Sequence, residues 1–190
     1  MSIEQNFRNI IEAIGEDPDR NGLQETPKRF AKAIEEMCSS VGMTDNLIKM
    51  DLSRTFEDDA DGVNRYGDMI IVRDIFFSSL CEHHFLPFFG TACVGYIPHT
   101  KVIGISKIAR LVELLSKRPQ IQERITNDTA RLLMEMLTCH GVMVVLNAYH
   151  TCMSSRGIKK PDARTVTSCT LGAFRQDSAT RQEFLSLIGG

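Results

Sequence analysis

The order of the apolar patterns after residue 68 constrains the fold more than any other feature of this sequence. Two β-branched and aromatic runs come first, two amphipathic helical patterns follow, and two further strand-like runs come last. The strands are predicted within residues 68–80, 89–98, 141–153 and 165–174, and the helices within 106–118 and 119–139. This order is typical of an α+β architecture in which a helix pair covers one face of an antiparallel sheet. Because the edges of so small a sheet are exposed, we expect them to be covered or to pair with other subunits.

Two helices are predicted ahead of this region. The first has apolar residues at helical spacing, namely Ile3, Phe7, Ile10, Ile11 and Ile14. The second begins at Thr26-Pro27, where threonine serves as the N-cap and proline occupies the first helical position. We therefore predict an N-terminal helical extension over residues 1–50 and a main domain over residues 51–190.

The charge and the hydropathy pattern exclude several classes of protein. A net charge of −2 and an isoelectric point near 6.2 argue against a general nucleic-acid binder, which is usually basic. No apolar run reaches the roughly eighteen residues that a membrane span needs, and the N-terminus lacks the layout of a signal peptide. The sequence therefore predicts a cytoplasmic protein whose thiols stay reduced.

Two short segments combine thiols with imidazoles. Cys81 and His84 are three positions apart, a spacing that lets a turn direct both side chains at one ion, and His150 and Cys152 lie two apart on a predicted strand, so they share a face. Thiolate and imidazole are the ligands that zinc prefers. The spacing leaves open whether His83, His84 or His150 binds. It also leaves open a closed structural site of four side chains, and a Cys81–Cys152 disulfide is disfavoured only by the predicted compartment.

Several segments together resemble the GTP cyclohydrolase I family. They are ETPKRFAK, CEHHFLPFFG, YIPHTKVIGISKIAR, RPQIQERIT, HTCMSSRGIKK and TVTS, which run from about residue 20 to the C-terminus. The resemblance implies that Cys81, His84 and Cys152 hold zinc. It further implies that His150 is the main general acid and base, and that His83 assists beside the metal.

The resemblance also implies a binding site for GTP. Glu123 would accept two parallel hydrogen bonds from guanine, and Gln122 would help in the same pocket. The remaining contacts would be Ser106 to the ribose, Lys107, Arg110 and Arg156 to the triphosphate, and Arg29 and Lys32 to the triphosphate from a neighbouring subunit. Read without the resemblance, Ser106 suits a helix N-cap and the charged residues suit a solvated surface.

The fold that the resemblance implies is the tunnelling fold, a four-stranded antiparallel sheet with two helices on one face. Sheets from several subunits would join into a barrel, and two stacked rings would give a homodecamer with active sites between subunits. The implied reaction converts GTP and water to 7,8-dihydroneopterin triphosphate and formate, the first step of pterin and folate biosynthesis. The alternatives are a related zinc enzyme that acts on another purine or on a pterin, and a non-catalytic assembly module built around structural zinc.

Overall fold

The computed structural model describes residues 2–53, 55–57 and 68–189. The chain divides between Ser39 and Ser40 into two compact units. The first unit contains helices α1 (Ile3–Ala13) and α2 (Thr26–Met37). The hydroxyl of Ser2 caps α1 by accepting the backbone N–H of Gln5 at 3.2 Å. The rings of Phe7 on α1 and Phe30 on α2 stack with centroids 3.7 Å apart. Both helices predicted for this region are confirmed.

The start of α2 differs from the prediction by one position. Glu25, not Thr26, is the N-cap, and no side chain caps the helix. The reason is that the chain already turns before the helix, where the N–H of Leu23 donates to the carbonyl of Arg20 and the N–H of Thr26 donates to that of Leu23. The N–H of Thr26, which is now the first helical residue, is thereby satisfied without a side-chain cap.

The second unit carries the sheets and the other helices. In chain order its elements are α3 (Asp45–Asp51), β1 (Thr55–Glu57), β2 (Ile70–Cys81), β3 (Pro87–Ile97), β4 (Lys101–Ile103), α4 (Ile105–Ser116), β5 (Pro119–Gln120), α5 (Gln122–Leu137), β6 (Gly141–His150), α6 (Thr151–Ser154), β7 (Thr165–Gly172), α7 (Ala173–Gln176) and α8 (Ser178–Ile188). The main sheet has the order β5-β2-β3-β6-β7. Its four long strands are antiparallel, as predicted.

Three local features of this unit differ from the prediction. The main sheet is mixed rather than purely antiparallel, because the two-residue strand β5 pairs in parallel with the end of β2. Pro119 therefore belongs to a strand, and α5 begins at Gln122 instead of at Pro119. Lys101–Ile103, which lies outside the predicted strands, forms β4 and pairs with β1 in a separate ladder.

The two faces of the main sheet are packed differently. Helix α4 packs on β2 and helix α5 packs on β6 and β7, so the core fills the space between this helix pair and the sheet. Val142, Val144 and Leu146 point into that core, whereas Met143 joins Phe174 and Phe184 in a smaller cluster. The alternation follows from the two-residue period of a strand. No helix among the described residues has the length and apolarity to cross a bilayer.

Candidate active site

A tight turn at the end of β2 brings Cys81 and His84 together. Cys81 is the last residue of the strand, and its carbonyl accepts the N–H groups of His84 at 3.2 Å and Phe85 at 2.7 Å. Phe85 adopts a positive φ of 56°, which closes the turn. The Sγ atom of Cys81 consequently lies 3.9 Å from Nδ1 of His84.

Cys152 reaches the same place from a helical turn rather than from a strand. The prediction that His150 and Cys152 share a strand face is wrong, because β6 ends at His150 and Cys152 lies in α6. The hydroxyl of Thr151 donates to the carbonyl of Pro87 at 2.6 Å and anchors this turn beside the start of β3. The helical turn carries Cys152 toward Cys81 and His84.

The three side chains form a group that fits a zinc ion. The candidate ligand atoms of Cys81, His84 and Cys152 all lie within 4.8 Å of one another. Tetrahedral zinc, with bonds of about 2.0–2.3 Å, separates sulfur and nitrogen ligands by about 3.5–3.8 Å, so the group is close to that spacing. Among the residues that the structure describes, no fourth histidine, cysteine or carboxylate belongs to the group. Burial, and then the neighbouring Cys81 thiol, raise the pKa of Cys152, an effect that a bound cation would oppose.

His150 stands beside this group at the end of β6. Its ring stacks on the buried ring of Phe88, its cross-strand partner, with centroids 4.5 Å apart and planes 6° apart. Its Nε2 lies 2.8 Å from Oε1 of Gln122. Burial lowers the pKa of His150, and the charge of Glu123 acts in the opposite direction. The stack therefore holds the imidazole in one plane, and burial favours its neutral form.

The side chain of Gln122 is committed to protein partners. It is 1% exposed, and its Nε2 lies within hydrogen-bonding distance of the Leu146 and Thr165 carbonyls and the Thr167 hydroxyl, at 3.2, 2.9 and 3.1 Å. Its Oε1 faces His150. The role in guanine binding stays a prediction, and the contacts of the side chain point to support of His150.

A cavity of about 210 Å³ joins these groups to Glu123. It is lined by the three candidate ligands, His83, His150, Met153, Thr165 and residues 120–123. Glu123 lies exposed in the first turn of α5. The three candidate zinc ligands therefore share one small cavity with two further histidines, His83 and His150, and with the carboxylate of Glu123.

Ser106 and Arg110 line a different cavity, of about 450 Å³, between β2 and α4. The two cavities share no lining residue. Ser106 is not the N-cap of α4, because Gly104 holds that position. Lys107 donates from Nζ to the carbonyl of Asp51 at 2.9 Å. Arg156 donates to Nε2 of His84 at 3.1 Å. Arg29 and Lys32 lie on α2 in the first unit.

Comparison with known proteins assigns the chain to a family. The profile described as GTP cyclohydrolase I matches residues 3–189. The chain belongs to the GTP cyclohydrolase I family. It is 50% identical over 187 residues to GTP cyclohydrolase 1 of Bacillus pumilus, covering 98% of this chain and 94% of that protein. It is also 50% identical over 189 residues to GTP cyclohydrolase 1 of Halalkalibacterium halodurans, covering 99% and 96%. It is 46% identical over 188 residues to GTP cyclohydrolase 1 1 of Pseudomonas aeruginosa, covering 99% and 97%.

For this GTP cyclohydrolase I family member, sequence reasoning missed one ion pair at the site. Arg124 donates to the Glu82 carboxylate through its two terminal nitrogens, Nη1 at 2.7 Å and Nη2 at 3.3 Å. Its Nη1 also donates to Oε1 of Gln120 at 3.0 Å. The pair joins the turn that carries Cys81 to the first turn of α5. Glu82 and Arg124 look like ordinary surface charges in the sequence, and only their positions beside Cys81 and Glu123 could have drawn attention to them.

Proposed function

We propose that this chain is a zinc-dependent GTP cyclohydrolase I that converts GTP and water to 7,8-dihydroneopterin triphosphate and formate. The observation that carries the proposal is the meeting of Cys81, His84 and Cys152 with His150 and Glu123 around one cavity, in a chain of this family. Three protein ligands would leave room for water on a bound zinc ion, which is the pattern of catalytic rather than structural zinc.

In this proposal, Cys81, His84 and Cys152 hold the zinc ion. When bound, zinc supplies Lewis-acid activation of water for attack on a purine carbon at neutral pH. His150 gives and takes protons as the imidazole ring of the purine opens and as the ribose later rearranges, and His83 assists from the turn beside the ligands. Burial lowers the pKa of His150, which favours the neutral form that is able to accept a proton.

Glu123 is proposed to select guanine. A carboxylate can accept two parallel hydrogen bonds, from the ring N–H and from the exocyclic amine of the base. Its exposure in the cavity, at the start of α5, supports this role, because the helix backbone holds it at a fixed distance from His150. Base recognition would then place the reacting purine carbon near His150 and the three candidate ligands.

The triphosphate contacts are proposed to come from more than one subunit. Ser106 and Arg110 line a cavity separate from that of Glu123, which supports a site completed by a neighbouring chain. Arg156 would contact the triphosphate from beside His84, and Lys107 from α4. Arg29 and Lys32 would reach it from a further subunit, where the forked donors of arginine suit phosphate.

The edges of the main sheet support the proposed assembly. Within the described residues, β7 is an edge of the main sheet, and the opposite edge of β2 is covered only at its end by β5. Edge-to-edge pairing of such sheets into a barrel would satisfy both edges, as the tunnelling fold and a homodecamer require. We propose residues 51–190 as the catalytic domain and residues 1–50 as a helical extension. We also propose that the protein is cytoplasmic and catalyses the first step of pterin and folate synthesis.

The function is tested by incubating the zinc-loaded protein with GTP and measuring formate together with the fluorescence of the oxidised pterin. His150→Ala should lower turnover by about 10²–10⁴-fold, the usual contribution of a general acid and base, while zinc stays bound. His99→Ala is the matched control, because His99 is exposed and contacts His140 outside the cavity. Absence of formate with the zinc-loaded wild-type protein would refute the proposed function.

The shared site is tested by co-expressing His150→Ala and Arg110→Ala chains. If each site takes His150 from one subunit and Arg110 from another, random mixing restores about a quarter of the sites, as expected for a heterologous interface. Restored formate release in the mixture, but not in either variant alone, supports the proposal. A mixture that stays inactive contradicts it.

A further inference from the structure

We propose that Gln122 is a positioning residue that holds His150 with a proton on Nε2, so that His150 exchanges protons with a ligand only through Nδ1. The catalytic consequence rests on the proposed function, whereas the hydrogen-bond argument stands on the structure alone.

The orientation of the Gln122 amide is fixed by its neighbours. One end of the amide faces the carbonyl oxygens of Leu146 and Thr165, at 3.2 and 2.9 Å. A carbonyl oxygen only accepts, so this end must be the NH₂ group. The flipped amide would bring its own oxygen against both carbonyl oxygens. The other end, which faces His150, is therefore the amide oxygen Oε1.

Two threonines enforce the same direction. The hydroxyl of Thr126 donates to the backbone carbonyl of Gln122 at 2.8 Å. Having used its one proton there, it accepts the hydroxyl proton of Thr167, whose oxygen is 2.6 Å away. The Thr167 oxygen is then left to accept from the Gln122 amide at 3.1 Å. The side chains of Gln122 and Thr126 lie in residues that are each 1% exposed, which limits competition from bulk water.

The direction of the last bond determines the state of the histidine. Oε1 of Gln122 can only accept, and Nε2 of His150 lies 2.8 Å from it, so Nε2 carries the proton. A neutral imidazole has one N–H, and Nδ1 therefore keeps the free lone pair. Stacking on Phe88, with planes 6° apart, holds the ring in the plane that this bond needs.

The test compares substitutions in the zinc-loaded full chain. Gln122→Met keeps the length of the side chain and removes both ends of the network, and it should lower kcat about 10²-fold while KM for GTP stays within about twofold. Thr126→Val removes the hydroxyl that bonds to both the Gln122 carbonyl and the Thr167 hydroxyl, and it should lower kcat up to about tenfold. Thr126→Ser should restore wild-type kcat because it restores the hydroxyl.

Thr129→Val is the matched control for packing. Thr129 is also buried in α5 and also donates to a backbone carbonyl four residues earlier, that of Ile125 at 2.7 Å, but it has no bond to the network. It should reproduce any general loss of stability and leave kcat unchanged. Zinc content and melting temperature are measured for every variant, so that loss of folded or metal-loaded protein is separated from loss of turnover.

The second readout needs no turnover. Solid-state ¹⁵N NMR of protein labelled at its five histidines, with His150 assigned by difference from His150→Gln, reports which ring nitrogen carries the proton. We expect the Nε2–H form in the wild-type protein and a mixture of both neutral forms in Gln122→Met. If Gln122→Met does not fold, Thr126→Val carries the comparison in both assays.

Three results would overturn the inference: a wild-type His150 with its proton on Nδ1, wild-type kcat in Gln122→Met, or a raised KM with unchanged kcat in that variant. The last result would assign Gln122 to substrate binding instead. Failure of the proposed function is distinguishable, because it appears as absent formate in the wild-type protein, while the NMR spectrum still decides the state of His150.

Discussion

Gly90→Ala is expected to damage both the sheet and the site. Gly90 lies on β3, where it pairs with Ala148 of β6, two residues from the Phe88–His150 pair in the same ladder. A Cβ atom added at Gly90 would lie 2.0 Å from the carbonyl oxygen of Asn147 and 2.6 Å from Cα of Ala148. Both atoms belong to the backbone of the neighbouring strand, so no side-chain rotation can relieve the contact.

The size of the effect follows from these distances. Real Cβ contacts begin near 3.0 Å, so β3 and β6 must separate by roughly 1 Å at this point. Separation weakens about two ladder hydrogen bonds, at about 1 kcal/mol each, and the local overpacking costs about 1–3 kcal/mol. We therefore expect the free energy of unfolding to fall by about 3–5 kcal/mol, a large part of the stability of an ordinary domain.

The measurement is urea unfolding together with formate release at a temperature where the variant stays folded. Because the ladder also sets the Phe88–His150 stack, kcat should fall further than the folded fraction does. Thr91→Ala is the control, since Thr91 is the exposed neighbour of Gly90 on the same strand and should change the unfolding free energy by less than about 0.5 kcal/mol. Wild-type stability in Gly90→Ala would refute the reasoning from strand spacing.

Two further predictions concern the metal and the ion pair. Removal of zinc with a chelator should abolish formate release and lower the melting temperature, because a ligand held at 100 times its Kd stabilises the folded state by about 2.7 kcal/mol. Cys152→Ser should lower the zinc content per chain and make the melting temperature insensitive to the chelator. Arg124→Gln and Glu82→Gln should each lower kcat/KM about tenfold, because either change breaks the ion pair that joins the turn beside Cys81 to α5. The double variant should lose no more kcat/KM than either single variant. Additive losses would show that the two residues act independently.

The long elements could be predicted because their apolar period is a local property. The strands β2, β3, β6 and β7 and the helices α4 and α5 all lie where the patterns indicate. Short elements were not predictable in this way. Strand β5 consists of two residues defined by pairing with β2, and α3 lies in a stretch whose pattern is weak. The pairing of β4 with β1 also depends on chain positions that are far apart in sequence.

The residue types of the site were visible in the sequence, but their supports were not. Cysteine and histidine clusters are rare enough to draw attention, and the three candidate ligands do converge. The network behind His150 uses glutamine and threonine, which are common residues, and it joins positions about forty apart, such as Thr126 and Thr167. No local pattern distinguishes these side chains from other polar residues, because their role exists only after the strands and α5 have packed.

The start of α5 shows why one position in a helix boundary matters to the chemistry. Consecutive residues in a helix point about 100° apart, so the first turn sends three neighbouring side chains in three directions. Gln122 turns inward to His150, Glu123 lines the cavity, and Arg124 reaches the turn beside Cys81. The two residues of β5 pair with the end of β2 and fix the segment that precedes the helix. The first turn of α5 is thereby positioned so that each of the three side chains reaches its partner. A single helical turn thus supports the proposed proton-transfer residue, the proposed base-binding carboxylate and the turn that carries two of the candidate ligands.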